Sequence, residues 1–484
     1  MARSRRVSEL RVRNLSGYSI NEKYGTNGGS IEGIWIFHRH GDRTPSSPLC
    51  SDHLIEEEAA FWRSKLPNDS SVEEVAKRFP KKIHSDSIEG YLDGKQEPYG
   101  FLTRVGTSQM YNTGRRFSLR YHRLGRKDRS LAGGNSGATG LLQNWDVTAF
   151  STNYLRTITS AQFFLDGLLN AEVQLNNKLK DAETLLDKDI NAKYDDNEAV
   201  IPVNVRSREV DTLNAFDKNP KKMLNLVKEV VSSPTFQERD SLAVPLATLL
   251  ANYLPGLTSG KRQLFGGPSG INWIHATDHF VCRASHGLKL TSFAPNSNHD
   301  KENEIPKTIR NANSFVDTTH EDAMQALAHP TIAHLAWRFS QWFTHGPLLG
   351  AITIPPLKEV EKQMREVPNL SMDEKRPLKI FSCHDVTLLS ILYGLGATEI
   401  IENERYWPPY GSTLAFELVK VKETDEYVIR FLLNGKPIKL REFDDKLISI
   451  DEFSELVDNL QREGRIDDDD EDTDGERDME NWTG

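Results

Sequence analysis

The strongest constraint on this 484-residue chain is an abrupt change of character within residues 33–45, Gly-Ile-Trp-Ile-Phe-His-Arg-His-Gly-Asp-Arg-Thr-Pro. The first five residues are mostly apolar, as in a buried β-strand, and a cluster of ionisable side chains follows at once. In an open parallel sheet, ligands bind at the carboxyl ends of the strands. This stretch therefore predicts a buried strand that delivers charged side chains to a binding site.

Two later stretches repeat this arrangement. Residues 146–152 form a strand-like run that leads into a helix, and Arg156 lies in the first turn of that helix. Residues 378–383 form another apolar strand, which ends at His384 and Asp385 before a helical run. The three strand ends would bring together six side chains: Arg39, His40, Arg43, Arg156, His384 and Asp385. Such a gathering of cationic groups suits a small, highly charged anion, and phosphate is the obvious candidate.

Length and charge limit the class of protein. A chain of this length can bury a large core, in one big domain with insertions or in two domains. The formal net charge of −10 argues against nucleic acid as a partner. Most of this charge lies in residues 461–484, which contain eleven acidic residues and three arginines. These residues cannot bury enough apolar surface to fold, so we expect a disordered acidic tail.

Cysteine usage and the N-terminus bear on the compartment. Cys50, Cys282 and Cys383 are scattered and odd in number, which fits no disulfide framework and indicates a reducing compartment, the cytoplasm. No stretch is long and apolar enough for an integral membrane segment, and the N-terminus lacks the apolar core of a secretory signal. Residues 1–13 carry five arginines and one glutamate, which weakly resembles a mitochondrial presequence and keeps the mitochondrion as an alternative.

The order of predicted elements indicates an α/β protein with a mainly parallel sheet flanked by helices. After residue 153, apolar residues recur about every 3.6 positions, as in a helix that packs on a sheet. Residues 46–98 are polar and irregular apart from a predicted helix over 72–78. Residues 217–372 carry mostly amphipathic helices that would cover the sheet and shape the mouth of the pocket. The helices predicted there span 223–231, 237–253, 272–289, 320–343 and 357–367.

These patterns predict four parts. A flexible N-terminus, residues 1–30, precedes an α/β core formed by residues 31–210 and 373–460. A largely helical insertion domain occupies residues 211–372, and the disordered acidic tail occupies residues 461–484.

The C-terminal part of the core contains a hairpin signal. Residues 412–421 and 426–433 predict paired strands, and Asn434-Gly435 is typical of a two-residue turn into a short third strand. A closing helix is predicted over residues 450–460.

The six side chains at the strand ends fit the hydrolysis of a phosphate monoester. A guanidinium group binds phosphate oxygens through charge-assisted hydrogen bonds, each worth about 1.5–3 kcal/mol. An imidazole is partly unprotonated near neutral pH, so it can attack phosphorus without a metal ion or other cofactor and form a phosphohistidine. In this scheme His40 is the nucleophile, and Asp385 is the general acid that protonates the departing alkoxide and then activates water. The remaining four would bind the phosphate: Arg39, Arg43, Arg156 and His384.

The same residues resemble the signatures of a known family. Residues 39–45 match the Arg-His-Gly-x-Arg-x-Pro signature of the histidine acid phosphatases, and His384-Asp385 matches their second signature. The resemblance covers short blocks between about residues 33 and 455. It implies a metal-independent phosphatase, with the nucleophile at His40, the acid at Asp385 and phosphate-binding groups at the other four positions.

Details near the second signature resemble one type within this family. Val386-Thr387 and the Trp-Pro-Pro block at residues 407–409 look most like the lysophosphatidic acid phosphatase type. That type has cysteines around its C-terminal turn, whereas residues 441–449 contain none. The resemblance implies a small phosphorylated substrate, with a lysophospholipid, an inositol phosphate or a sugar phosphate as the alternatives. The sequence does not indicate the oligomeric state.

Two other interpretations remain open. His38, His40 and Asp42 alternate as in the first metal-binding motif of the amidohydrolases, which would make the protein a metal-dependent hydrolase. The arginines beside them would repel a divalent ion, so we interpret His38 as a structural residue. A non-catalytic phosphate-binding module would normally lack the nucleophile or the acid, and both are present here. For Asp42 we predict a solvated loop residue without a role, and for Cys383 an inert core thiol.

Overall fold

The computed structural model describes residues 29–50, 52–84, 97–127, 141–180, 200–258, 267–288, 320–371, 374–443 and 447–464. The presequence-like residues 1–13, nearly all of the predicted flexible N-terminus and the acidic tail beyond residue 464 lie outside the described residues. Among the described helices, none combines the length and the apolar character that crossing a membrane requires.

The described strands form one nine-stranded sheet. They are β1 (Ser30–Arg39), β2 (Lys81–His84), β3 (Trp145–Ser151), β4 (Val203–Arg206), β5 (Arg376–Cys383), β6 (Thr413–Lys420), β7 (Tyr427–Leu433), β8 (Lys436–Pro437) and β9 (Ile448–Ser449). The strand order is β2-β4-β3-β5-β1-β6-β7-β8, and β9 pairs with β7. The first five strands in this order are parallel, and the remaining pairs are antiparallel. The predicted α/β class with a mainly parallel sheet is confirmed.

Helices connect and flank the strands. They are α1 (Ile55–Arg63), α2 (Asp69–Arg78), α3 (Arg104–Lys127), α4 (Leu141–Asn144), α5 (Leu155–Lys180), α6 (Ala215–Lys218), α7 (Pro220–Ser232), α8 (Pro234–Ser241), α9 (Val244–Tyr253), α10 (Trp273–Ser285), α11 (His320–Thr344), α12 (Gly346–Glu366), α13 (Asp385–Gly394), α14 (Thr398–Ile401) and α15 (Ile450–Glu463).

Both faces of the sheet are covered by helices, which is why β1 is apolar on both sides. Ile34 and Ile36 belong to a core cluster with residues of α2, α3 and α5 on one face. Trp35 and Phe37 belong to a larger cluster with residues of α7 to α15 on the other face. Successive side chains of a strand point to opposite faces, so an apolar run without alternation is expected for a strand between two helical layers.

Residues 211–372 contain α6 to α12, and the predictions for 223–231, 272–289 and 320–343 correspond to α7, α10 and α11. Two other predictions were wrong in their bounds. The helix predicted over 237–253 is divided into α8 and α9, and Pro245 lies in the first turn of α9, where its missing N–H is tolerated. The helix predicted from residue 357 begins at Gly346 and continues through Pro355 and Pro356. The domain boundaries stay predictions.

The C-terminal hairpin is confirmed. Asn434 and Gly435 both have positive φ, 52° and 79°, as the tight turn between β7 and β8 requires. The closing helix α15 continues to Glu463, so the first residues assigned to the acidic tail are helical. Residues 46–98 contain α1 and the strand β2 in addition to the predicted helix.

Candidate active site

The carboxyl ends of β1, β3 and β5 meet because these strands are parallel neighbours in the order β3-β5-β1. The register pairs Arg39 with Cys383 and Ser151 with Ser382. The side chains that follow these strand ends line one cavity, and all six predicted residues are among them: Arg39, His40, Arg43, Arg156, His384 and Asp385. The structure therefore brings the six together, and the roles assigned to them stay predictions.

His40 is held in one tautomer by its own backbone neighbour. Its Nδ1 atom lies 2.8 Å from the carbonyl oxygen of Gly41, which can only accept a hydrogen bond. The ring must therefore carry its proton on Nδ1, which leaves the lone pair of a neutral imidazole on Nε2. A Cβ atom on Gly41 would lie 2.5 Å from the carbonyl oxygen of Gly106, so this turn requires glycine.

The surroundings of His40 also favour the neutral ring. Burial lowers its pKa well below 6.5, and the positive charges of Arg156, Arg39 and Arg43 lower the pKa further. The ring centroid lies 5.8 Å from that of His384 and 5.7 Å from that of Tyr410. His40 is thus an unprotonated, oriented imidazole in a cavity that Arg39, Arg43 and Arg156 also line.

Arg39, the last residue of β1, contacts the part of the site that follows β5. Its Nη2 atom lies 2.7 Å from Oδ2 of Asp385, and its Nη1 atom donates a hydrogen bond of 2.6 Å to the carbonyl oxygen of Pro408. Its guanidinium lies 4.2 Å above the ring of Tyr410. These contacts fix Arg39 and place the Asp385 carboxyl beside it, at the first residue of α13.

Arg43 is held by a carboxylate that the sequence analysis did not identify. Its Nη2 atom lies 2.8 Å and 3.0 Å from the two oxygens of Asp278, which is in α10. Ser46 donates a hydrogen bond to the same carboxylate. Burial alone would raise the pKa of Asp278, but the charge and hydrogen bonds of Arg43 and Ser46 hold the pKa below its usual value. Asp278 is thus an ionised residue that orients Arg43.

Arg156 and His384 share an aromatic support, Tyr154. The guanidinium of Arg156 lies 4.4 Å from the centroid of the Tyr154 ring. The ring of His384 meets the same ring edge-on at 5.0 Å, and its Nε2 atom is 3.1 Å from Oγ1 of Thr152. Arg156 and His384 also lie at the N-terminal ends of α5 and α13, where the free backbone N–H groups favour an anion.

The prediction for Asp42 was wrong, because Asp42 is fully buried rather than solvated. Its Oδ1 atom accepts hydrogen bonds from Oγ1 of Thr103 at 2.5 Å and from Nε2 of His286 at 2.8 Å. Its backbone N–H donates to the side chain of Gln109. The loop that follows His40 is covered by α3 and by the end of α10, a tertiary contact without a local signal.

His38 and His40 face different surroundings. The ring of His38 is fully buried and stacks on Phe164 at 5.1 Å, and its Nδ1 atom lies 3.2 Å from the carbonyl oxygen of Arg39. The described residues contain no group of three or more His, Cys, Asp or Glu side chains that could hold a metal ion. This geometry favours the structural interpretation of His38. Cys383 is fully buried, and burial raises the pKa of its thiol, as expected for an inert core residue.

The outer wall of the cavity is mainly apolar. The cavity has an empty volume of about 990 Å³, counting the part that is open to solvent. Among the described residues that line it, the apolar and aromatic ones are Leu213, Ala215, Phe216, Ile274, Val281, Leu335, Phe339, Trp342, Ile352, Val386 and Trp407. Most come from residues 211–372, which were predicted to shape the mouth of the pocket. The sequence did not identify which of these helical residues would face the cavity.

The sequence of the chain is similar to those of known proteins. A sequence model of the histidine phosphatase superfamily (branch 2) matches residues 30–254 and 340–434, more than half of the chain. Lysophosphatidic acid phosphatase type 6 of Mus musculus is 32% identical over 108 residues, which are 22% of this chain and 23% of that protein. The Bos taurus protein of the same name is 28% identical over 141 residues, 26% of this chain and 32% of its own length. The chain therefore covers less than a third of the length of these curated relatives.

Two solved structures are similar over most of their length. Multiple inositol polyphosphate phosphatase of Bifidobacterium longum has a TM-score of 0.48 and 14% identity, covering 91% of this chain and 94% of that one. Phytase of Klebsiella sp ASR1 has a TM-score of 0.47 and 13% identity, covering 90% of this chain and 96% of that one.

Proposed function

The chain belongs to the histidine phosphatase superfamily (branch 2), and on this basis we propose that it hydrolyses phosphate monoesters through a covalent phosphohistidine at His40. The observation that carries the proposal is the position of His40. Its neutral ring lies in a cavity that is also lined by three guanidinium groups and by the carboxyl of Asp385.

In the first step the phosphate group of the substrate binds to Arg39, Arg43 and Arg156, with His384 beside them. The Nε2 lone pair of His40 attacks phosphorus, and the bond from phosphorus to the ester oxygen breaks. As the general acid, Asp385 gives a proton to the departing alkoxide, so that a neutral alcohol leaves and Asp385 becomes a carboxylate.

In the second step the Asp385 carboxylate takes a proton from water, and the resulting hydroxide attacks the phosphorus of the phosphohistidine. The bond from nitrogen to phosphorus breaks, its electron pair returns to His40, and inorganic phosphate leaves. The arginines compensate the negative charge of the transferring group in both steps. Each hydrogen bond between a phosphate oxygen and a charged donor contributes about 1.5–3 kcal/mol. Three arginines would therefore supply most of the affinity for the phosphate group.

We further propose a lysophospholipid such as lysophosphatidic acid as the substrate. Four aromatic side chains of the outer wall support this choice. Phe339 lies 4.5 Å from Trp342 and 5.1 Å from Trp407, and Phe216 lies 6.1 Å from Trp342, measured between ring centroids. This cluster offers an acyl chain an apolar surface beside the phosphate-binding residues.

The acyl chain gives a quantitative test. Burial of one CH₂ group contributes about 0.8 kcal/mol, which corresponds to roughly a fourfold gain in affinity. We expect kcat/KM to rise at least about a hundredfold from glycerol 3-phosphate to a short-chain lysophosphatidic acid below its micellar concentration. Phe216→Ala should reduce that gain about tenfold, and Leu242→Ala, at an exposed position outside the cavity, should not. Equal rates for both substrates would exclude the lysophospholipid but not the phosphatase.

The two alternatives predict different outcomes. A metal-dependent hydrolase that uses His38 and His40 would lose its activity in EDTA, whereas we expect no loss. A non-catalytic module would bind phosphate without releasing alcohol from p-nitrophenyl phosphate. Turnover that persists in EDTA excludes both alternatives in one assay.

A further inference from the structure

Two buried threonine hydroxyls connect His384 with backbone carbonyl groups. Nε2 of His384 lies 3.1 Å from Oγ1 of Thr152, which lies 2.9 Å from Oγ1 of Thr157. Oγ1 of Thr157 in turn lies 2.9 Å from the carbonyl oxygen of Tyr154 and 3.1 Å from that of Thr152. Both threonine side chains are fully buried, so their hydroxyls depend on these partners within the protein.

The sheet brings these groups together. Ser151, the last residue of β3, pairs with Ser382 of β5. Thr152 and His384 therefore follow neighbouring parallel strands. The backbone N–H of Thr152 donates a hydrogen bond to the carbonyl oxygen of Ser382. The hydroxyl of Ser382 donates to the carbonyl oxygen of Thr157 at 2.7 Å. The positions of both threonines are thus tied to the strands that carry the site.

The two carbonyl oxygens set the direction of the hydrogen bonds. A carbonyl oxygen can only accept, and a threonine hydroxyl has a single proton to donate. If Thr157 donates to a carbonyl oxygen, then Thr152 donates to Thr157, and Nε2 of His384 must donate to Thr152. The opposite direction makes one hydrogen bond fewer with the same atoms, because Thr157 no longer donates to a carbonyl oxygen. One more hydrogen bond favours the first direction roughly fivefold.

We propose that Thr152 is a positioning residue that holds His384 as the tautomer with its proton on Nε2. His40 has the opposite tautomer, because its Nδ1 atom lies beside the carbonyl oxygen of Gly41. A neutral imidazole has a single N–H group. By accepting from that group, Thr152 fixes the orientation of the His384 ring beside the ring of His40. The kinetic consequence of this inference rests on the proposed phosphatase function, whereas the tautomer does not.

The tautomer is measured by NMR on protein with isotope-labelled histidine, without any substrate. The nitrogen chemical shift of a neutral ring differs strongly between a nitrogen that carries a proton and one that does not. His384→Gln identifies the signals of this ring among the fourteen histidines. The pH is raised until the ring is neutral. We expect the proton on Nε2 in wild type, and a proton on Nδ1 in half or more of the molecules would overturn the inference.

Thr157→Val tests the direction of the hydrogen bonds without touching Thr152. It removes the acceptor of the Thr152 proton, so this proton becomes available to Nε2 of His384. We therefore expect the proton of His384 to move from Nε2 to Nδ1. Thr248→Val, at an exposed position of α9, is the matched control and should leave the tautomer as in wild type. An unchanged tautomer in Thr157→Val would contradict the inference, and Thr157→Ala replaces this variant if it does not fold.

The kinetic test separates a positioning role from a merely structural one. Thr152→Val should lower kcat/KM for p-nitrophenyl phosphate about tenfold, because the His384 ring loses its acceptor. Thr152→Ser keeps the hydroxyl and should stay within about threefold of wild type. A Thr152→Val enzyme as active as wild type, or a Thr152→Ser enzyme as slow as Thr152→Val, would overturn the positioning role. If wild type hydrolyses no phosphate ester, the phosphatase proposal fails, and the tautomers in wild type and Thr157→Val still decide the inference.

Discussion

At the scale of single residues, Asp42 and Asp385 both come soon after a strand in the sequence, but the structure gives them different surroundings. Asp42 is fully buried and accepts hydrogen bonds from Thr103 and His286, so it holds the loop after His40. Asp385 lies in the cavity beside Arg39 and is partly exposed. Of these two carboxylates, only Asp385 can reach a leaving group. Its replacement should therefore slow the reaction by an amount that depends on the leaving group.

Asp385→Asn should slow phosphoenzyme formation, and the loss of rate should be larger for a leaving group that needs a proton. A general acid contributes about 10²- to 10⁴-fold when the departing alkoxide needs a proton. We expect a loss of this size with glycerol 3-phosphate and a much smaller loss with p-nitrophenyl phosphate, whose phenolate leaves without protonation. Burst kinetics measure the first step alone, with Asp458→Asn, at an exposed position of α15, as the control. The same loss for both esters would contradict the assignment of the acid.

His38 carries a prediction about stability. Burial lowers its pKa to about 4, against 6.5 for an ordinary histidine. As pH falls below 6.5 the unfolded chain binds a proton at this residue, whereas the folded chain does not until about pH 4. The folded state therefore loses stability between these values, by up to about 3 kcal/mol.

Urea unfolding at pH 7 and pH 5 measures this effect. His38→Asn keeps a donor near the Arg39 carbonyl but removes the titration. It should be less stable than wild type at pH 7, because it loses the contact with Phe164, yet its loss of stability on going to pH 5 should be about 2 kcal/mol smaller. An equal loss in both proteins would show that His38 does not titrate in this way.

At the scale of elements, α3 is in close contact with α5, the helix that carries Arg156 in its first turn. A Cβ atom on Gly114 of α3 would lie 1.9 Å from the carbonyl oxygen of Phe164, and one on Gly167 of α5 would lie 1.9 Å from that of Tyr111. Both contacts are with backbone atoms, which cannot rotate away. These two glycines let the helices pack backbone against backbone, next to β3 and the cavity.

Gly114→Ala tests this contact. Alanine favours a helix over glycine by about 1 kcal/mol, but forcing an atom into a packed contact costs about 1–3 kcal/mol or more. Because the overlap is with backbone, we expect the free energy of unfolding to fall. Ser108→Ala, at an exposed position of the same helix, should change it little. A Gly114→Ala protein as stable as wild type would show that the helices can move apart without cost.

At the scale of the whole molecule, the predicted parts of the site depend on residues that are close in sequence. The parts that were not predicted depend on residues that are far apart in sequence. An apolar strand followed by charged residues is a local signal, and it occurs at β1 and β5, whose following charged side chains line the cavity. The prediction that these strand ends lie together followed from the predicted parallel sheet. The α/β class and the C-terminal hairpin were predicted for the same reason, since each depends on neighbouring residues.

The partners of these residues depend on contacts between distant segments. Asp278 meets Arg43 across 235 positions of the chain, and His286 meets Asp42 across 244. No periodicity distinguishes Asp278 in α10, or His286 directly after it, from other polar residues. The same limit applies to the aromatic residues of the outer wall, which look like ordinary core positions of amphipathic helices. The helix predicted over 357–367 is also longer than the local pattern indicated, because α12 begins at Gly346 and stays helical through Pro355 and Pro356.

The central claim, a covalent bond between phosphorus and Nε2 of His40, is tested most directly by trapping that bond. The chain is mixed rapidly with p-nitrophenyl phosphate, quenched in alkali, where phosphohistidine persists, and analysed by peptide mass spectrometry. We predict phosphate on His40, a burst of about one p-nitrophenolate per chain, and neither of these in His40→Ala. Phosphate on another residue, or a His40→Ala protein that keeps most of its hydrolysis, would contradict the claim.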